Sequence, residues 1–345
     1  MRLEARGHPL HTRALSVVLA ARADGKLDVH GAVLDLRKRG FVPVAGDLQG
    51  AGVIHDMRLA GTIDPASARL ETLAAEQRSV AFEPSAVTGG ESCRDPIDRI
   101  AALAGTRLDD GWARRLGDAI GGPRGCSHLL TLGHLLGSSA AWALARERAR
   151  HGTAPARPAG QRVFRRDVVI DGHESAAAEM QLTAQTTDLH FAPAGAVVRP
   201  MERFAEQLEV RLVVEVEFPA LTIGRLEAAE RRRGAADLED AAWRARGEAV
   251  AWLVGRRLGG GITAELLARL GGAPDDRPLL DTLLMLAPAL VQCAAAMSEA
   301  WPLAFRTDPS VVAMGGLPDS CYMWRRDGAL DRARAAEGNR PPWRS

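Results

Sequence analysis

The sequence repeats one order of structural elements along its length, and this repeat constrains the fold more than any other feature. Internal repeats are sought first because an overlooked repeat leads to the wrong architecture. In each copy, segments of alternating apolar and polar residues come first, and a leucine-rich helix comes last. No single match is strong, but order, spacing and element type agree throughout. The matched segments are residues 56–59 and 209–212, 68–74 and 224–229, 115–122 and 266–272, and 129–136 and 279–286.

The repeat divides the chain of 345 residues into two domains of ordinary size. Between them, residues 145–161 combine a run of arginines with glycines and prolines, a composition that ends a helix and indicates a linker. We therefore place the first copy at residues 10–148, the linker at 149–160 and the second copy at 161–300. A C-terminal tail, residues 301–345, is expected to pack on one or both copies.

Strand-like segments precede helical segments in both copies. Segments with a two-residue period are predicted to be strands, and the Asp-Gly pairs at residues 24–25 and 171–172 are predicted hairpin turns. This order favours the α+β class, as two tandem copies of an antiparallel sheet that is covered by about three helices. The predicted strands are residues 14–21, 27–36, 57–63 and 69–75, with 163–170, 179–189, 209–217 and 221–228. The predicted helices are residues 96–104, 111–120 and 127–146, with 237–258, 262–270 and 278–300.

Composition excludes several classes of protein. A formal net charge of +1 provides no overall field that would attract nucleic acid or acidic lipid. Four scattered cysteines do not make a disulfide framework, which favours a reducing cytoplasm. The most apolar stretch, residues 279–297, contains Asp281, Pro288 and Gln292, so we predict a buried helix rather than a membrane span. We expect a cytoplasmic protein that acts on a small molecule and has no nucleic-acid or membrane partner. The sequence is compatible with a homo-oligomer.

Candidate chemistry lies at element boundaries of the first copy. His55 and Asp56 precede a strand, Cys93 precedes an Asp-Pro helix start, and Cys126 and His128 open the long helix. A thiol at a helix N-terminus feels the positive end of the macrodipole, and two thiols near an imidazole favour zinc. The same residues also fit a purely structural role, because free cysteine is often a small buried hydrophobe. Cys-x-His alone is a weak signal, since helical residues two apart do not face each other.

The second copy lacks these candidates. It has Asp276 and Pro278 where the first copy has the cysteine and histidine of the long helix, and Leu208 at the place of His55. No cysteine stands at the place of Cys93. This pattern is expected if one copy keeps a site and the other keeps only its packing, and it would also arise if the cluster had no role.

A series of short segments in the first copy and the tail carries a family resemblance. They are residues 11–13, 24–31, 34–38 and 55–57, Cys93, residues 111–112 and 125–129, and residues 319–322 and 327–328. In these segments the chain resembles a bacterial family known as domain of unknown function 2889. The family name implies no activity, and Tyr322 stands where the family has a histidine.

A more distant resemblance is to iron–sulfur scaffold proteins of the NifU/IscU type. His55, Cys93 and Cys126 fall at the places of three scaffold ligands, although the scaffolds have cysteine where this chain has His55. The resemblance implies a metal site in a NifU/IscU-like fold. The single histidine favours one zinc ion over an iron–sulfur cluster.

The first functional hypothesis is an enzyme that acts on small organic acids, aromatic and acyl acids among them. His55, Cys93 and Cys126 would hold a divalent metal, with zinc favoured and iron allowed. Asp56 or His128 would be the fourth ligand or the general acid/base. In a metal-free variant, Cys126 or Cys93 is the nucleophile and His128 or His55 its base.

Three tail residues complete the predicted site. Tyr322, Trp324 and Arg325 are expected to close over it and meet an aromatic or anionic substrate, with simple packing of the tail as the alternative. Cys293 is expected to be core. The competing hypothesis is a non-catalytic zinc or iron–sulfur binding or carrier protein, or a pseudo-dimeric scaffold.

Overall fold

Segments in which every second residue is apolar form the long strands of the protein. In the first strand, Leu15, Val17 and Leu19 are buried and the residues between them are half-buried. The computed structural model describes residues 3–40, 42–44, 47–152, 157–176, 179–193, 203–217, 220–234, 241–259, 261–297 and 318–336. Its strands are β1 (His8–Ala21), β2 (Leu27–Arg37), β3 (Val42–Val44), β4 (Asp47–Gln49), β5 (Gly52–Asp64), β6 (Arg69–Ser79), β7 (Thr106–Arg107), β8 (Arg162–Ala176), β9 (Glu179–Phe191), β10 (Phe204–Glu217), β11 (Thr222–Gly234) and β12 (Arg244–Ala245).

Ten of these strands form one antiparallel sheet. Its order is β12-β11-β10-β9-β8-β1-β2-β5-β6-β7, and β3 pairs with β4 apart from it. The predicted α+β class is confirmed. The two predicted sheets, however, are one, because β1 and β8 pair with each other along most of their length. Likeness to NifU/IscU scaffolds and an origin by duplication stay predictions.

The two halves of the sheet have the same register at a constant offset along the chain. Arg13 pairs with Asp35 across β1 and β2, and Arg166 pairs with Asp188 across β8 and β9. The next two strand pairs of each half keep this offset. Equivalent positions of the two halves can therefore be compared residue by residue.

Helices cover one face of the sheet. The long helix α2 lies over β1, β2 and β5, and α6 lies over β1, β8 and β9. The predicted helix at residues 262–270 is confirmed. In contrast, residues 244–245 of the predicted helix 237–258 are a strand, and part of that segment lies outside the described residues. The helices are α1 (Trp112–Ile120), α2 (Ser127–His151), α3 (Gly247–Val250), α4 (Ile262–Leu270), α5 (Arg277–Leu284), α6 (Leu286–Ala296) and α7 (Ala329–Ala336), with 3-10 turns at Ile97–Leu103, Gly122–Arg124, Ala251–Leu253 and Pro274–Asp276.

Proline chemistry explains the break between α5 and α6 at Met285. Pro288 has no N–H to donate to the carbonyl of Leu284, so one regular helix cannot run through this point. Residues Pro274–Ala296 are long and apolar enough to span a membrane by length and composition, but 72% of their most apolar window is buried inside the protein. The stretch is thus a core element, as its polar residues predict, and the cytoplasmic location stays a prediction.

One of the two predicted hairpin turns is wrong. Asp24-Gly25 does form the turn between β1 and β2, where Gly25 has a φ of 79°. Gly172 instead lies inside β8. A Cβ at this position would lie 2.0 Å from the Sγ of Cys293, so a side chain here would clash with α6. The glycine therefore allows α6 to approach the sheet closely, and Cys293 is buried core, as predicted.

The linker and the tail are both tied to the first half. Helix α2 extends to His151, so the first residues of the predicted linker are helical, and residues 153–156 lie outside the described part. In the tail, Met323 and Leu330 pack against Phe82. The remainder of the tail, residues 301–317 and 337–345, lies outside the described residues.

Candidate active site

Charged and imidazole side chains replace apolar ones at one end of the buried sheet face. On β1, His11 and Arg13 continue the buried phase of the strand, and Asp35 and Arg37 do so on β2. His55 on β5 pairs in register with Asp35. Because alternate strand residues share a face, the strand pairing brings all five side chains together under the helical layer.

Asp35 is the centre of this cluster, and its carboxylate is fully buried. Its Oδ1 lies 3.4 Å from His11 Nε2 and 3.7 Å from Arg13 Nη1. Its Oδ2 lies 3.3 Å from His55 Nδ1 and 3.4 Å from His128 Nε2. The four groups therefore surround one carboxylate at distances longer than a normal hydrogen bond.

Helix α2 supplies the remaining members at its N-terminus. Cys126 is the N-cap and has extended backbone angles, so its Sγ can lie 4.0 Å from the Nδ1 of His128. The imidazole of His128 stacks on that of His55, with ring centroids 3.6 Å apart. Its Nε2 also accepts a hydrogen bond of 3.1 Å from the amide of Gln292 on α6. The extended N-cap thus solves the spacing problem that weakens Cys-x-His on a regular helix.

Several buried polar atoms of the cluster have no hydrogen-bond partner within the described residues. They include both carboxylate oxygens of Asp35, Nδ1 of His55, and Nε and Nη2 of Arg13. Buried polar groups without partners are rare and costly, so this concentration of them indicates a ligand-binding site.

Asp35, His55 and His128 form a group of side chains that could hold a metal ion. The three ligand atoms all lie within 4.8 Å of one another. Zinc binds imidazole nitrogen and carboxylate oxygen at about 2.0–2.2 Å, which puts two tetrahedral ligands about 3.3–3.4 Å apart. The separations from Asp35 Oδ2, 3.3 Å to His55 and 3.4 Å to His128, match this value.

Burial and charge set the protonation of the cluster. Burial opposes ionisation of Asp35, but Arg13 and His55 outweigh it and hold the pKa of this carboxyl far below its usual range. Burial lowers the pKa of His11 to about 4 and, together with repulsion from His55, lowers the pKa of His128. Burial raises the pKa of Cys126 to about 12. The cluster therefore offers an ionised Asp35 carboxylate, neutral imidazoles at His11 and His128, and a protonated Cys126 thiol at neutral pH.

A cavity of about 1120 Å³ borders the cluster. Both halves of the chain and the tail contribute to its walls, which carry Arg13, Arg37, His55, Cys126 and His128 at one end. Most of the remaining wall is apolar. A large, mostly apolar cavity with a few convergent polar groups is typical of a small-molecule site.

Two of the predicted metal ligands and one predicted acid/base lie outside the metal-binding group. Cys93 and Cys126 line the cavity, but neither belongs to the one group of metal-ligating atoms found in the described residues. Asp56 points to the opposite face of the sheet, because it follows His55 on the same strand, and its carboxylate lies 3.7 Å from Arg58. The group of possible ligand atoms in the described residues thus contains His55 and His128 together with Asp35, and the predicted metal site stays a prediction.

The three predicted tail residues divide between two roles. Tyr322 and Trp324 line the cavity, and the backbone N–H of Tyr322 donates 2.8 Å to the carbonyl of Gly125. Arg325 is absent from the cavity wall; its guanidinium pairs with Glu91 and stacks on the ring of Tyr322. Arg325 thus fixes the tail and does not face the cavity.

Sequence reasoning missed Asp35, although a signal was present. Leu27, Val29 and Val33 mark the buried phase of β2, and Asp35 and Arg37 fall in the same phase. A charged pair that continues an apolar phase is expected to be buried and paired, or functional.

Comparison with known proteins identifies the segment that holds this cluster. A family model described as a protein of unknown function, DUF2889, matches residues 11–141. No curated protein matches the chain. The matched residues include Asp35, His55 and His128, and they exclude the second half and the tail. Residues 11–141 of this chain, which hold the cluster, are thus similar to the DUF2889 family of unknown function.

Proposed function

We propose that the protein is an enzyme that acts on small organic acids with a divalent metal, zinc in the first place, held by Asp35, His55 and His128. The observation that carries the proposal is the separation of Asp35 Oδ2 from the two imidazole nitrogens, 3.3 and 3.4 Å, which matches tetrahedral ligands. Iron is the second choice, because two histidines and one carboxylate also suit non-haem iron.

Three protein ligands favour catalysis over carriage or structural zinc. Structural zinc sites are closed by four protein ligands, whereas catalytic sites keep one position open. His55 and His128 both line the cavity, so an open position beside them would be accessible to a substrate. When bound, the metal would polarise a carbonyl or carboxyl oxygen or activate water.

The surrounding residues orient the three ligands. His11 and Arg13 face the other oxygen of Asp35, which leaves Oδ2 free for the metal. Cys126 lies on the Nδ1 side of His128, so its sulfur is an acceptor for the imidazole N–H while Nε2 binds. Such outer partners fix the tautomer of a ligating histidine. Metal binding at Nε2 would replace the hydrogen bond from Gln292.

Elemental analysis of protein purified without added metal or chelator tests this proposal. We expect about one zinc or iron per chain, lost in Asp35→Asn and in His128→Gln. His134→Gln is the matched control, because His134 lines the same cavity but lies outside the metal-binding group. Retention of the metal in Asp35→Asn, or failure of the parent chain to take up added zinc under reducing conditions, would contradict the proposal.

A second candidate is metal-free thiol catalysis. Cys126, His128 and Asp35 stand in the order thiol, imidazole and carboxylate, at 4.0 Å and 3.4 Å. His128 would remove the proton of the thiol, and Asp35 would orient the imidazole. Full activity on an acyl substrate in chelator-treated protein, lost in Cys126→Ser, would favour this candidate over the metal enzyme.

A further inference from the structure

The end of the cavity that holds the cluster has more buried positive charge than negative charge. Arg13 and Arg37 are 1% and 3% exposed, and both line the cavity. Among the described side chains, Asp35 is the one carboxylate within 4.0 Å of Arg13, and none lies within this distance of Arg37. The N-terminus of α2 adds a further partial positive charge at the same end.

Both guanidinium groups have unused donors. Arg37 donates from Nη1 to the backbone carbonyl of Gln49 at 3.0 Å, and its Nε has no partner in the part of the chain that the structure describes. Arg13 donates from Nη1 to the carbonyl of Pro288 at 3.3 Å, and its Nε and Nη2 have no partner there either. A buried charge without a counter-ion is costly, and a bound anion would remove most of that cost.

The second half of the sheet shows that this fold can satisfy a buried arginine fully. Arg166, at the position equivalent to Arg13, donates two hydrogen bonds of 2.6 Å to Asp188 and pairs with Asp281. His190 stands at the position equivalent to Arg37. The unpaired guanidinium N–H groups of the first half therefore result from the residues that surround Arg13 and Arg37, because the strand geometry is the same in both halves.

We propose that Arg37 and Arg13 form a subsite for the carboxylate of an organic acid whose apolar body lies along α2. The inference deepens the proposed function and rests on its assignment of organic acids as substrates. A planar guanidinium binds a carboxylate through two parallel hydrogen bonds. A dication held by Asp35 would add to the positive charge of this end, so an anionic substrate is favoured still more.

The walls beyond the two arginines define the rest of the ligand. Leu130 and Leu135 on α2 and Leu284, Pro288 and Val291 on α5 and α6 line the cavity. A surface of this kind accepts an aliphatic or aromatic body and offers it few hydrogen bonds. The expected substrate class is a monocarboxylate with an extended apolar group.

Titration calorimetry with octanoate and octanamide tests the subsite on the full chain. The two probes have nearly the same shape, and only octanoate carries a charge. We expect octanoate to bind at least about tenfold more tightly. Arg37→Gln should remove this preference and leave octanamide binding within about twofold of the parent value, because the apolar wall is unchanged. Arg37→Lys should keep part of the preference, because it retains the charge and loses the fork.

Arg277→Gln is the control within the same cavity. Arg277 also lines the wall, but its Nε already donates 2.7 Å to Ser138, and Asp281 lies 3.8 Å from it. The variant should keep the preference for octanoate. Equal binding of the two probes by the parent chain, or an equal loss of both in Arg37→Gln with the fold intact by circular dichroism, would overturn the inference.

Zinc content of the same samples separates this inference from the proposed metal site. Octanoate preference in chelator-treated protein that takes up no zinc would support the subsite and contradict the metal site. Zinc bound through Asp35, His55 and His128 without octanoate preference would overturn the subsite alone.

Discussion

The two halves of the sheet carry the same buried arginine–aspartate pair and use it differently. In the second half, Arg166 and Asp188 make two hydrogen bonds of 2.6 Å, and Asp281 completes the shell. In the first half, the closest distance between Arg13 and Asp35 is 3.7 Å. Arg166 and Asp188 thus satisfy each other by hydrogen bonds, whereas Arg13 and Asp35 leave polar atoms available to a ligand.

The residues around each pair account for this difference. In the first half, three imidazoles lie within 3.4 Å of the carboxylate that Arg13 faces. In the second half, the equivalent positions are mostly apolar, so among the described residues Arg166 is the ion-pair partner that Asp188 has. The equivalent positions, by strand register and by order along the helices, are His11 and Phe164, Arg37 and His190, His55 and Leu208, and His128 and Pro278. The comparison teaches that a shared backbone register can hold either a structural ion pair or an open polar cluster.

The largest expected contrast is between Asp188→Asn and Asp35→Asn. Asp188→Asn leaves the buried Arg166 with one carboxylate, so we expect the free energy of unfolding to fall by about 3–5 kcal/mol while zinc binding persists. Asp35→Asn also removes the one carboxylate of the described residues within 4.0 Å of Arg13, so stability should fall here too, but this variant should in addition lose zinc binding and the rise in Tm that zinc gives the parent. Urea denaturation and zinc titration measure the two effects. If Asp35→Asn still bound zinc, the Arg13–Asp35 pair would have a structural role like that of Arg166 and Asp188.

The next largest effect concerns the pH dependence that His190 imposes on the second half. Burial, with repulsion from Arg150 and Arg146, lowers the pKa of His190 to about 2. An unfolded histidine titrates near about 6.5, so the stability that comes from a neutral His190 is complete above that pH and falls as the pH drops toward 2. Between pH 7 and pH 5 the loss is about 2 kcal/mol.

His190→Phe tests this assignment, because an aromatic ring is retained beside Phe164. Urea denaturation at pH 7 and pH 5 should show a smaller loss of stability in the variant than in the parent. The same loss in both chains would mean that other groups cause the acid sensitivity.

A smaller contrast is expected between Cys126→Ser and Cys293→Ser. Cys126 is an outer partner of His128, so we expect zinc affinity to fall about tenfold without being lost. Cys293 packs against Gly172 in the core, and a buried hydroxyl there should cost about 1–2 kcal/mol and leave zinc affinity unchanged. Complete loss of zinc in Cys126→Ser would restore the ligand set that the sequence predicts.

The smallest effect is expected for Asp56→Asn. Asp56 lies on the outer face, and its partner Arg58 is 46% exposed, so the change in stability should stay below about 0.5 kcal/mol. Zinc content and activity should equal those of the parent chain. A loss of either would show that the outer face contributes to the site.

The fold was more predictable than the site. The alternation of apolar and polar residues predicts β2 and β9 to within two residues of their observed ends, and α4 has the predicted bounds. The hairpin at residues 171–172 failed because an Asp-Gly pair also suits a strand that a helix approaches closely. Local patterns record which residues face inward but not which neighbour they meet.

The sequence by itself determined the α+β class, the repeated order of elements and the positions of His55 and His128 at element boundaries, because period and element boundaries are local properties. Only the tertiary structure decided that one sheet joins both halves and that Asp35 Oδ2 lies 3.3 and 3.4 Å from nitrogens of the two stacked imidazoles. Strand pairing and the position of α2 bring together residues that are far apart in the chain, and their distances depend on register and packing. The same reason explains the two cysteines: each is near the site in sequence order, but neither sulfur is within the metal-binding group of the described residues.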